Sequence, residues 1–217
     1  MQRKIVTTSD GSSTIYFPEW DEHYHSKHGA IQEAYHVFVK MGLSLFSSQK
    51  VTILEIGFGT GLNAFITLIE AENRNLKISY EGVDAHPVAM EEVHLLNYPL
   101  QLNASEAVFK QLHEIPWEQS IKINPTFTLK KRKLFFDQIE DIAKFDLIYF
   151  DAFGARVQPE LWTDAIFQKM HTALKPNGVL VTYSAKGTVR RAMQQVGFKV
   201  EKLPGPPGKR EMLRGLM

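Results

Sequence analysis

Residues 51–61 read VTILEIGFGTG, an apolar run followed by a carboxylate and three glycines at alternate positions. The run is rich in β-branched residues and predicts a strand. Gly57, Gly59 and Gly61 allow positive φ and let a ligand approach the main chain closely, and residues 63–70 then predict a helix. A strand that passes through a glycine turn into a helix presents free backbone N–H groups and the positive end of the helix dipole, so we expect a nucleotide site here.

The pattern of this turn, E-x-G-x-G-x-G, separates two classes of nucleotide site. A dinucleotide-binding turn reads G-x-G-x-x-G, and a Walker loop requires a Lys-Ser or Lys-Thr pair, which does not follow here. Glu55 places a carboxylate where a pyrophosphate would be repelled and a cationic ligand favoured. S-adenosylmethionine carries a sulfonium and an ammonium, and the spacing resembles the first motif of class I methyltransferases. The alternative is a glycine-rich turn that binds no ligand, with Glu55 at the surface.

Composition limits the kind of protein that this chain forms. Its 217 residues suffice for one domain with a single core. The chain has no cysteine, which excludes disulfides, thiolate nucleophiles and cysteine-ligated zinc. A formal net charge of +1 argues against a wholly basic nucleic-acid-binding protein but allows a local basic patch. No apolar run approaches the roughly 20 residues that cross a bilayer, and residues 1–11 lack a signal-peptide core, so we expect a cytoplasmic protein without a membrane segment.

The order of strands and helices predicts a doubly wound α/β sheet that ends in a closing pair of strands. A hairpin around Asp10-Gly11 and a helix over 30–46 are expected before the glycine turn. Further strands are expected at 77–83, 145–150, 179–183, 198–203 and 212–217, and further helices at 88–96, 105–113, 159–174 and 187–196.

Four carboxylates lie at or near the ends of predicted strands: Glu55, Asp84, Asp137 and Asp151. Open parallel sheets bind ligands at the carboxyl ends of their strands. Asp84 lies close to the ~20-residue separation at which an acid meets the ribose of a nucleotide, although a surface cap of the next helix is the alternative. We expect Asp137 to accept the adenine amino group. Asp151 follows the run 145–150, which is typical of a fully buried parallel strand.

Two polar stretches each allow a functional and a purely structural interpretation. His23, His25 and His28 could ligate zinc, but a loop that closes over the cofactor suits their loose spacing better. Residues 127–136, FTLKKRKLFF, predict a hairpin with a basic tip at 130–133. Such a tip is most often a solvated turn, and phosphate contact is the alternative.

Four segments carry a resemblance that covers nearly the whole chain. They are TSDGSSTIYFPEWDEHYHSKHGAIQEAYHVF (8–38), ILEIGFGTGLNAF (53–65), FDLIYFDAFGARVQPELWT (145–163) and YSAKGTVRRAMQQVGFKVEKLPGPPGKREMLRG (183–215). Together they resemble the methyltransferase module of the bacterial enzymes that make 5-methylaminomethyl-(2-thio)uridine in tRNA. D-A-F with P-E-L-W-T, and G-K-R-E-M-L, are far more specific than the glycine turn. The family often has D-G-F where this chain has Asp151-Ala152-Phe153, and Arg156 and Val157 also depart from its pattern.

The resemblance implies a Rossmann-like class I methyltransferase fold with a mostly parallel seven-stranded sheet and an antiparallel last strand. Residues 1–48 would form an N-terminal extension of hairpin, loop and helix, packed on a methyltransferase domain over 49–217. S-adenosylmethionine is the implied cofactor, and no metal is expected. The residues assigned to the cofactor are Tyr24, Glu55, Gly57, Gly59, Gly61, Asn63, Asp84, Asp137, Asp151 and Phe153.

The resemblance also implies N-methylation of the 5-aminomethyl group of a wobble uridine in the tRNA anticodon loop. The expected tRNA contacts are Lys186, Arg190, Lys209 and Arg210. In many bacteria the module is fused to a flavin-dependent oxidoreductase. This chain resembles the stand-alone form, for which a separate oxidoreductase would act upstream.

Methyl transfer to an amine requires alignment and the loss of a proton. Alignment of this kind can contribute roughly 7–11 kcal/mol, and Asp151 is the candidate to orient the amine and accept its proton. Phe153 or Tyr24 could stack on a base splayed out of a single-stranded loop. The alternatives are a class I methyltransferase acting on a small molecule or protein, a spermidine-synthase-like aminopropyl transferase, and a non-enzymatic binding module.

Overall fold

The computed structural model describes residues 3–47 and 49–217. Within them, a small sheet contains β1 (Lys4–Thr7), β2 (Ser13–Phe17) and β3 (Glu22–His23). The main sheet contains β4 (Lys50–Ile56), β5 (Lys77–Val83), β6 (Ser120–Lys122), β7 (Phe127–Arg132), β8 (Phe145–Phe150), β9 (Leu174–Thr182), β10 (Lys199–Pro204) and β11 (Glu211–Leu216).

The α-helices are α1 (Ala30–Ala34), α2 (Leu62–Asn73), α3 (Met90–Val93), α4 (Tyr98–Gln101), α5 (Glu106–Glu114), α6 (Asp164–Ala173) and α7 (Gly187–Gln195). A π-helix follows α1 directly, at Tyr35–Lys40, and 3-10 helices lie at Leu43–Leu45, Phe136–Gln138 and Pro159–Trp162.

The main sheet has the strand order β10-β11-β9-β8-β4-β5-β7-β6. β4 pairs in parallel with β5 and β8, and β7 and β9 extend this parallel part on either side. β11 runs antiparallel to both β9 and β10. The predicted mostly parallel sheet with an antiparallel last strand is confirmed, and the short edge strand β6 adds an eighth strand to the seven expected.

Both faces of the main sheet are covered, which explains the continuous apolar sequences of its central strands. Successive side chains point to opposite faces of a strand. In β4, Ile53 belongs to one buried cluster and Leu54 to the other, and in β8 Leu147 and Ile148 divide in the same way. Side chains of α2, α5 and the N-terminal extension fill the first cluster, and those of α6 and α7 fill the second.

The N-terminal extension contains the expected hairpin, loop and helix. β1 and β2 pair antiparallel across a turn in which Gly11 has a φ of 84°. The helix expected over 30–46 is divided, because the Met41 N–H donates to the carbonyl of His36, five residues back, as in a π-helix. Phe38 and Tyr149 lie with ring centroids 5.0 Å apart, so the extension and the sheet share one core. The domain boundary expected at residue 48 lies outside the described residues and stays a prediction.

The basic tip expected within 127–136 is wrong. These residues begin with the continuous strand β7, and the hairpin lies earlier, between β6 and β7. Alternation in β7 places Lys131 on the buried side with Leu129. The Lys131 ammonium donates to the carbonyl of His113 at the end of α5 and lies 4.9 Å from the centroid of the Trp117 ring. Lys131 is therefore part of the packing and not a phosphate contact.

Two further elements differ from those expected. Asp137 does not end a strand, because Phe136–Gln138 form a 3-10 helix instead. The helix expected over 88–96 is reduced to the single turn of α3. In the part of the chain that the structure describes, no helix is long and apolar enough to cross a membrane.

Candidate active site

A cavity of about 1140 Å³ lies at the carboxyl ends of β4, β5 and β8, where the N-terminal extension covers the main sheet. This edge is the ligand-binding edge of open parallel sheets. The volume exceeds the usual range for ligand sites, roughly 300–1,000 Å³, so the cavity has room for a cofactor and for part of an acceptor. Of the predicted site residues, those that line it are Tyr24, Gly57, Gly59, Asn63, Asp84, Asp137, Asp151, Phe153 and Lys209.

The glycine turn after β4 forms one wall of the cavity. Gly57 has a φ of 90°, and a Cβ there would lie 2.7 Å from the carbonyl oxygen of Asp151. Gly59 has a φ of 51°, and its Cβ would lie 3.0 Å from the ring of Tyr24. Both positions combine left-handed backbone with close contacts, which explains why glycine stands there. Gly61 packs against His113 and does not line the cavity.

Asp84 connects the end of β5 to this turn. Its Oδ2 accepts the N–H of Gly59 at 2.8 Å, and its Oδ1 accepts the N–H of His86, also at 2.8 Å. Burial raises the pKa of Asp84 above its ordinary value, although both hydrogen bonds oppose the rise. The carboxylate is thus fixed at the cavity wall beside the glycine turn, where the sequence placed the ribose of the nucleotide.

Glu55 lies beneath the cavity and reaches it only through Asn63. The side-chain amide nitrogen of Asn63 donates to Glu55 Oε1 at 2.9 Å and to Asp151 Oδ2 at 2.8 Å. Glu55 is 1% exposed, and burial raises its pKa well above the ordinary value of a glutamate. Glu55 therefore orients Asn63, and Asn63 in turn orients Asp151.

Asp151 immediately follows β8 and lines the cavity. Burial raises the pKa of its carboxyl group to about 7, and the charge of Glu33 adds to the rise. The hydrogen bond from Asn63 and the charge of Lys209 lower the pKa of Asp151 and so oppose this rise. A carboxylate that titrates near neutral pH is suited to accept a proton at that pH.

The histidine loop is fixed to the glycine turn by His25. One ring nitrogen of His25 lies 3.2 Å from the hydroxyl of Thr14, and the other lies 3.3 Å from the hydroxyl of Thr60. Burial lowers the pKa of His25 to about 4, so its ring is neutral. The described residues contain no group of three His, Asp or Glu side chains that could hold a metal ion. The loop instead places Tyr24 against Gly59.

Four aromatic rings form a second wall of the cavity, which meets the glycine turn where Tyr24 lies against Gly59. The centroid of the Phe153 ring lies 4.9 Å from that of Tyr24, 5.5 Å from that of Phe17 and 5.9 Å from that of Trp20. Arg156 fixes the loop that carries Trp20, because its Nη2 donates to the carbonyls of residues 20 and 21 at 2.9 and 2.8 Å. Arg156 is one of the positions at which the sequence departs from the family pattern, and this departure was the only signal for its role.

Sequence reasoning missed Glu33 as a site residue. Glu33 lies on α1, lines the cavity and is 7% exposed. Its Oε1 lies 2.6 Å from the ammonium of Lys209, and its Oε2 accepts the N–H of Ser26 at 2.8 Å. Lys209 was predicted as a tRNA contact, and the structure places its ammonium inside the cavity. No local signal marks Glu33, because a glutamate in a helix ordinarily faces solvent.

The other predicted tRNA contacts lie away from the cavity wall. Lys186 immediately precedes α7, Arg190 lies in its first turn, and Arg210 lies in the turn between β10 and β11. The charges of Arg190 and Arg210 both lower the pKa of Glu211, which places these two cations on one region of the surface. Asp137 is exposed at the rim of the cavity.

The sheet order, the glycine turn and the cavity at the strand ends define an enzyme of the Rossmann-like class that binds a nucleotide cofactor. The sequence profile of an S-adenosyl-L-methionine-dependent methyltransferase family matches residues 102–217, which is more than half of the chain. The chain belongs to this family. It is a methyltransferase, and S-adenosylmethionine is its cofactor.

Two curated relatives carry the name tRNA 5-methylaminomethyl-2-thiouridine biosynthesis bifunctional protein MnmC. The protein from Burkholderia thailandensis is 30% identical over 97% of this chain, and that from Paraburkholderia phymatum is 28% identical over 94%. The chain covers only 34% and 33% of these relatives, about a third of their length.

The fold is similar to that of solved structures, of which two are informative. MnmC2 from Aquifex aeolicus has a TM-score of 0.80 and 25% identity, and the match covers 99% of this chain and 69% of that one. Spermidine synthase from Thermotoga maritima has a TM-score of 0.55 and 12% identity, with 98% of this chain and 72% of that one covered. The second likeness shows the shared fold alone.

The residues at the glycine turn fit S-adenosylmethionine. Asn63 lines the cavity, and its buried Oδ1 has no hydrogen-bond partner among the described residues. An orphaned buried acceptor is costly unless a ligand or water satisfies it, and the ammonium of the cofactor is a suitable donor. A Cβ at Gly57 would meet the carbonyl oxygen of Asp151 and one at Gly59 would meet the ring of Tyr24, so this turn keeps its close packing at the cavity only with glycine.

Proposed function

We propose that the chain transfers the methyl group of S-adenosylmethionine to the 5-aminomethyl group of (2-thio)uridine at the tRNA wobble position, giving 5-methylaminomethyl-(2-thio)uridine. The observation that carries the proposal is Asp151, a carboxylate at the end of β8 whose pKa is raised to about 7, inside a cavity with room for a cofactor and a base. The names of the MnmC relatives, matched over 97% and 94% of the chain, support the same acceptor.

The cofactor would lie along the glycine turn, with Asp84 at its ribose and Asp137 near its adenine. The assigned cofactor contacts Tyr24, Gly57, Gly59 and Asn63 surround the same space. Glu55 and Gly61 would act indirectly, Glu55 through Asn63 and Gly61 through the shape of the turn. When bound, the cofactor supplies an electrophilic methyl carbon, whose bond to sulfur breaks as the bond to the acceptor nitrogen forms.

Asp151 would prepare the acceptor for this displacement. A primary aminomethyl group is largely protonated near neutral pH and has no free lone pair in that form. The ionised carboxylate of Asp151 would accept this proton and leave a neutral amine, whose lone pair would then be free for methyl transfer. Asn63 holds Asp151 in place through its 2.8 Å hydrogen bond, which limits the freedom that must be lost before reaction.

The wobble base would be held by the aromatic wall. Bases of single-stranded loops can be splayed out and stacked on aromatic side chains. Phe153 is central to the wall, since its ring contacts those of Phe17, Trp20 and Tyr24. Lys186, Arg190 and Arg210 would contact phosphates of the anticodon stem and loop, because such contacts position a nucleic acid without reading its sequence.

We also propose that the aminomethyl precursor comes from a flavin-dependent oxidoreductase acting upstream, in the cytoplasm. The MnmC relatives are named as bifunctional and are about three times as long as this chain, which fits a second activity in those proteins. Aminopropyl transfer is the second candidate reaction, because the fold is shared with spermidine synthase. That reaction would require decarboxylated S-adenosylmethionine as the donor.

The test is methyl transfer to an anticodon stem-loop RNA that carries 5-aminomethyluridine at the wobble position. We expect the nucleoside to gain one methyl group, measured by mass spectrometry, with S-adenosylmethionine and not with its decarboxylated form. The same RNA with unmodified uridine is the control and should gain nothing. Methylation of small amines or proteins in the absence of RNA methylation would contradict the proposal, and aminopropyl transfer would replace it.

A further inference from the structure

An ion pair inside the cavity joins two residues that are far apart in the sequence. Glu33 on α1 and Lys209 in the turn between β10 and β11 lie 2.6 Å apart, oxygen to nitrogen. The carboxylate of Glu33 is fixed, since its second oxygen accepts the N–H of Ser26. The Lys209 side chain is 33% exposed and the Glu33 side chain only 9%, so the carboxylate belongs to the wall and the lysine reaches it from the cavity opening.

The ammonium of Lys209 has a second partner of a kind that binds cations. Its nitrogen lies 4.0 Å from the centroid of the Tyr183 ring. The Tyr183 hydroxyl donates to the carbonyl of Ala152 at 2.8 Å, which fixes the ring beside the end of β8. A carboxylate and an aromatic face that converge on one ammonium form a cation site.

The charges of this ion pair act on the carboxyl group of Asp151. The charge of Glu33 raises the pKa of Asp151, and the charge of Lys209 lowers it, so all three groups lie within range of each other. When all three are ionised, two carboxylates and one ammonium leave a net charge of −1. The cluster can therefore accommodate one more positive charge, or exchange its own cation for another.

We propose that Glu33 and the ring of Tyr183 recognise the acceptor's primary amine in its ammonium form, and that Lys209 occupies this site until the acceptor displaces it. The inference rests on the proposed function, because it requires an acceptor with an aliphatic amine. Glu33 then determines specificity, since a neutral acceptor group of the same size cannot replace the Lys209 ammonium. The amine is held beside Asp151, which accepts its proton.

The turn that carries Lys209 allows such an exchange. It contains Gly205 and Gly208, the latter with a φ of 82°. Lysine side chains are long and flexible, and the Lys209 ammonium leaves Glu33 only as the acceptor ammonium takes its place, so the buried carboxylate keeps a cationic partner. Once displaced, the Lys209 ammonium is free to meet a phosphate of the bound RNA, which is the role that the sequence predicted for it.

The experiment compares two anticodon stem-loop RNAs that differ only at the wobble base, 5-aminomethyluridine against the neutral, similarly sized 5-hydroxymethyluridine. Binding is measured at equilibrium with S-adenosylhomocysteine present, so that no methyl transfer occurs. We expect the wild-type protein to prefer the aminomethyl RNA. Glu33→Gln should reduce this preference by roughly tenfold, the usual scale for losing a charged hydrogen-bond partner. Lys209→Met should increase the preference severalfold, because the internal competitor is gone.

A matched ion pair on the same hairpin provides the control. Lys202 and Glu211 lie 2.9 Å apart on β10 and β11 and do not line the cavity. Glu211→Gln and Lys202→Met should leave the preference unchanged. Two results would overturn the inference: a wild-type preference retained in Glu33→Gln, or a loss in Lys209→Met as large as that in Glu33→Gln, which would indicate a purely structural pair.

Failure of the inference is distinguishable from failure of the proposed function. If the wild-type protein does not methylate the aminomethyl RNA, the proposed function is wrong. If it methylates that RNA but binds the hydroxymethyl RNA equally well, the proposed function stands and the ammonium site is wrong. Should Glu33→Gln not fold, the wild-type preference and the Lys209→Met result decide the matter.

Discussion

The two walls of the cavity are built in different ways. The cofactor wall comes from the glycine turn between β4 and α2 together with Asp84, and it presents main-chain groups whose positions follow from local geometry. The wall assigned to the acceptor combines side chains of α1, of the residues that follow β8 and β9, and of the β10–β11 turn, which are far apart in sequence. The main-chain groups of one turn can bind a nucleotide, whereas a site for an amine needs charged side chains from several elements.

The largest expected effect tests the acceptor wall. Asp151→Asn keeps the size of the side chain and removes the proton acceptor, so we expect single-turnover methyl transfer to fall by roughly 10²–10⁴-fold. S-adenosylmethionine affinity, measured by calorimetry, should change little. Asp164→Asn, at an exposed position in α6, is the control. If Asp151→Asn weakened cofactor binding as much as turnover, the two walls would not be separable.

The cofactor wall is tested by Asp84→Ala. This change removes the acceptor of the Gly59 and His86 N–H groups and the expected ribose contact. We expect cofactor binding to weaken by roughly 1.5–3 kcal/mol, the scale of hydrogen bonds to a charged group. RNA binding without cofactor should be retained. An unchanged dissociation constant in calorimetry would remove Asp84 from the cofactor site.

The pH dependence of methyl transfer tests the role of Asp151 separately from cofactor binding. Burial raises the pKa of Asp151 to about 7, so its basic form is lost as the pH falls through that value. We expect single-turnover rates to fall by about tenfold per pH unit below that value. The negative charge of Glu33 raises this pKa and the positive charge of Lys209 lowers it. Glu33→Gln should therefore move the midpoint to lower pH and Lys209→Met to higher pH.

At subsaturating RNA, the pH profile reports the ionisations of the free protein and of the free acceptor, and the free acceptor amine is the same for every variant. Opposite shifts in the Glu33→Gln and Lys209→Met proteins are therefore the diagnostic result. A midpoint that is identical in all three proteins would assign the titration to the acceptor and not to Asp151.

The smallest expected effect concerns Arg156. Its guanidinium holds the Trp20 loop through two carbonyls and Glu22, but its side chain is 57% exposed. We expect Arg156→Met to lower the free energy of unfolding by about 0–1 kcal/mol and to raise the acceptor KM severalfold with cofactor affinity unchanged. Lys40→Met, at an exposed position in the extension, is the control. An unchanged KM would show that the loop is held without Arg156.

Lys131 shows why the environment of a charged residue escapes sequence reasoning. Four basic residues in succession suggest a solvated turn, yet strand alternation directs Lys131 inward, where the carbonyl of His113 satisfies its ammonium. Lys209 shows the opposite case, since the sequence placed it at the RNA and the fold places its ammonium on Glu33. The partner of a charged side chain depends on three-dimensional neighbours, and neither lysine has its partner nearby in the chain.

The sequence by itself determined the alternation of strands and helices, the glycine turn and the positions of three strand-end acids, Glu55, Asp84 and Asp151. These features depend on periodicity and on backbone conformations that a few consecutive residues impose. Only the tertiary structure decided that Glu33 meets Lys209 across 176 positions, that Asn63 joins Glu55 to Asp151, and that His25 fixes its loop to the glycine turn. Such contacts arise when the sheet closes against the N-terminal extension, because burial selects which polar groups must find each other.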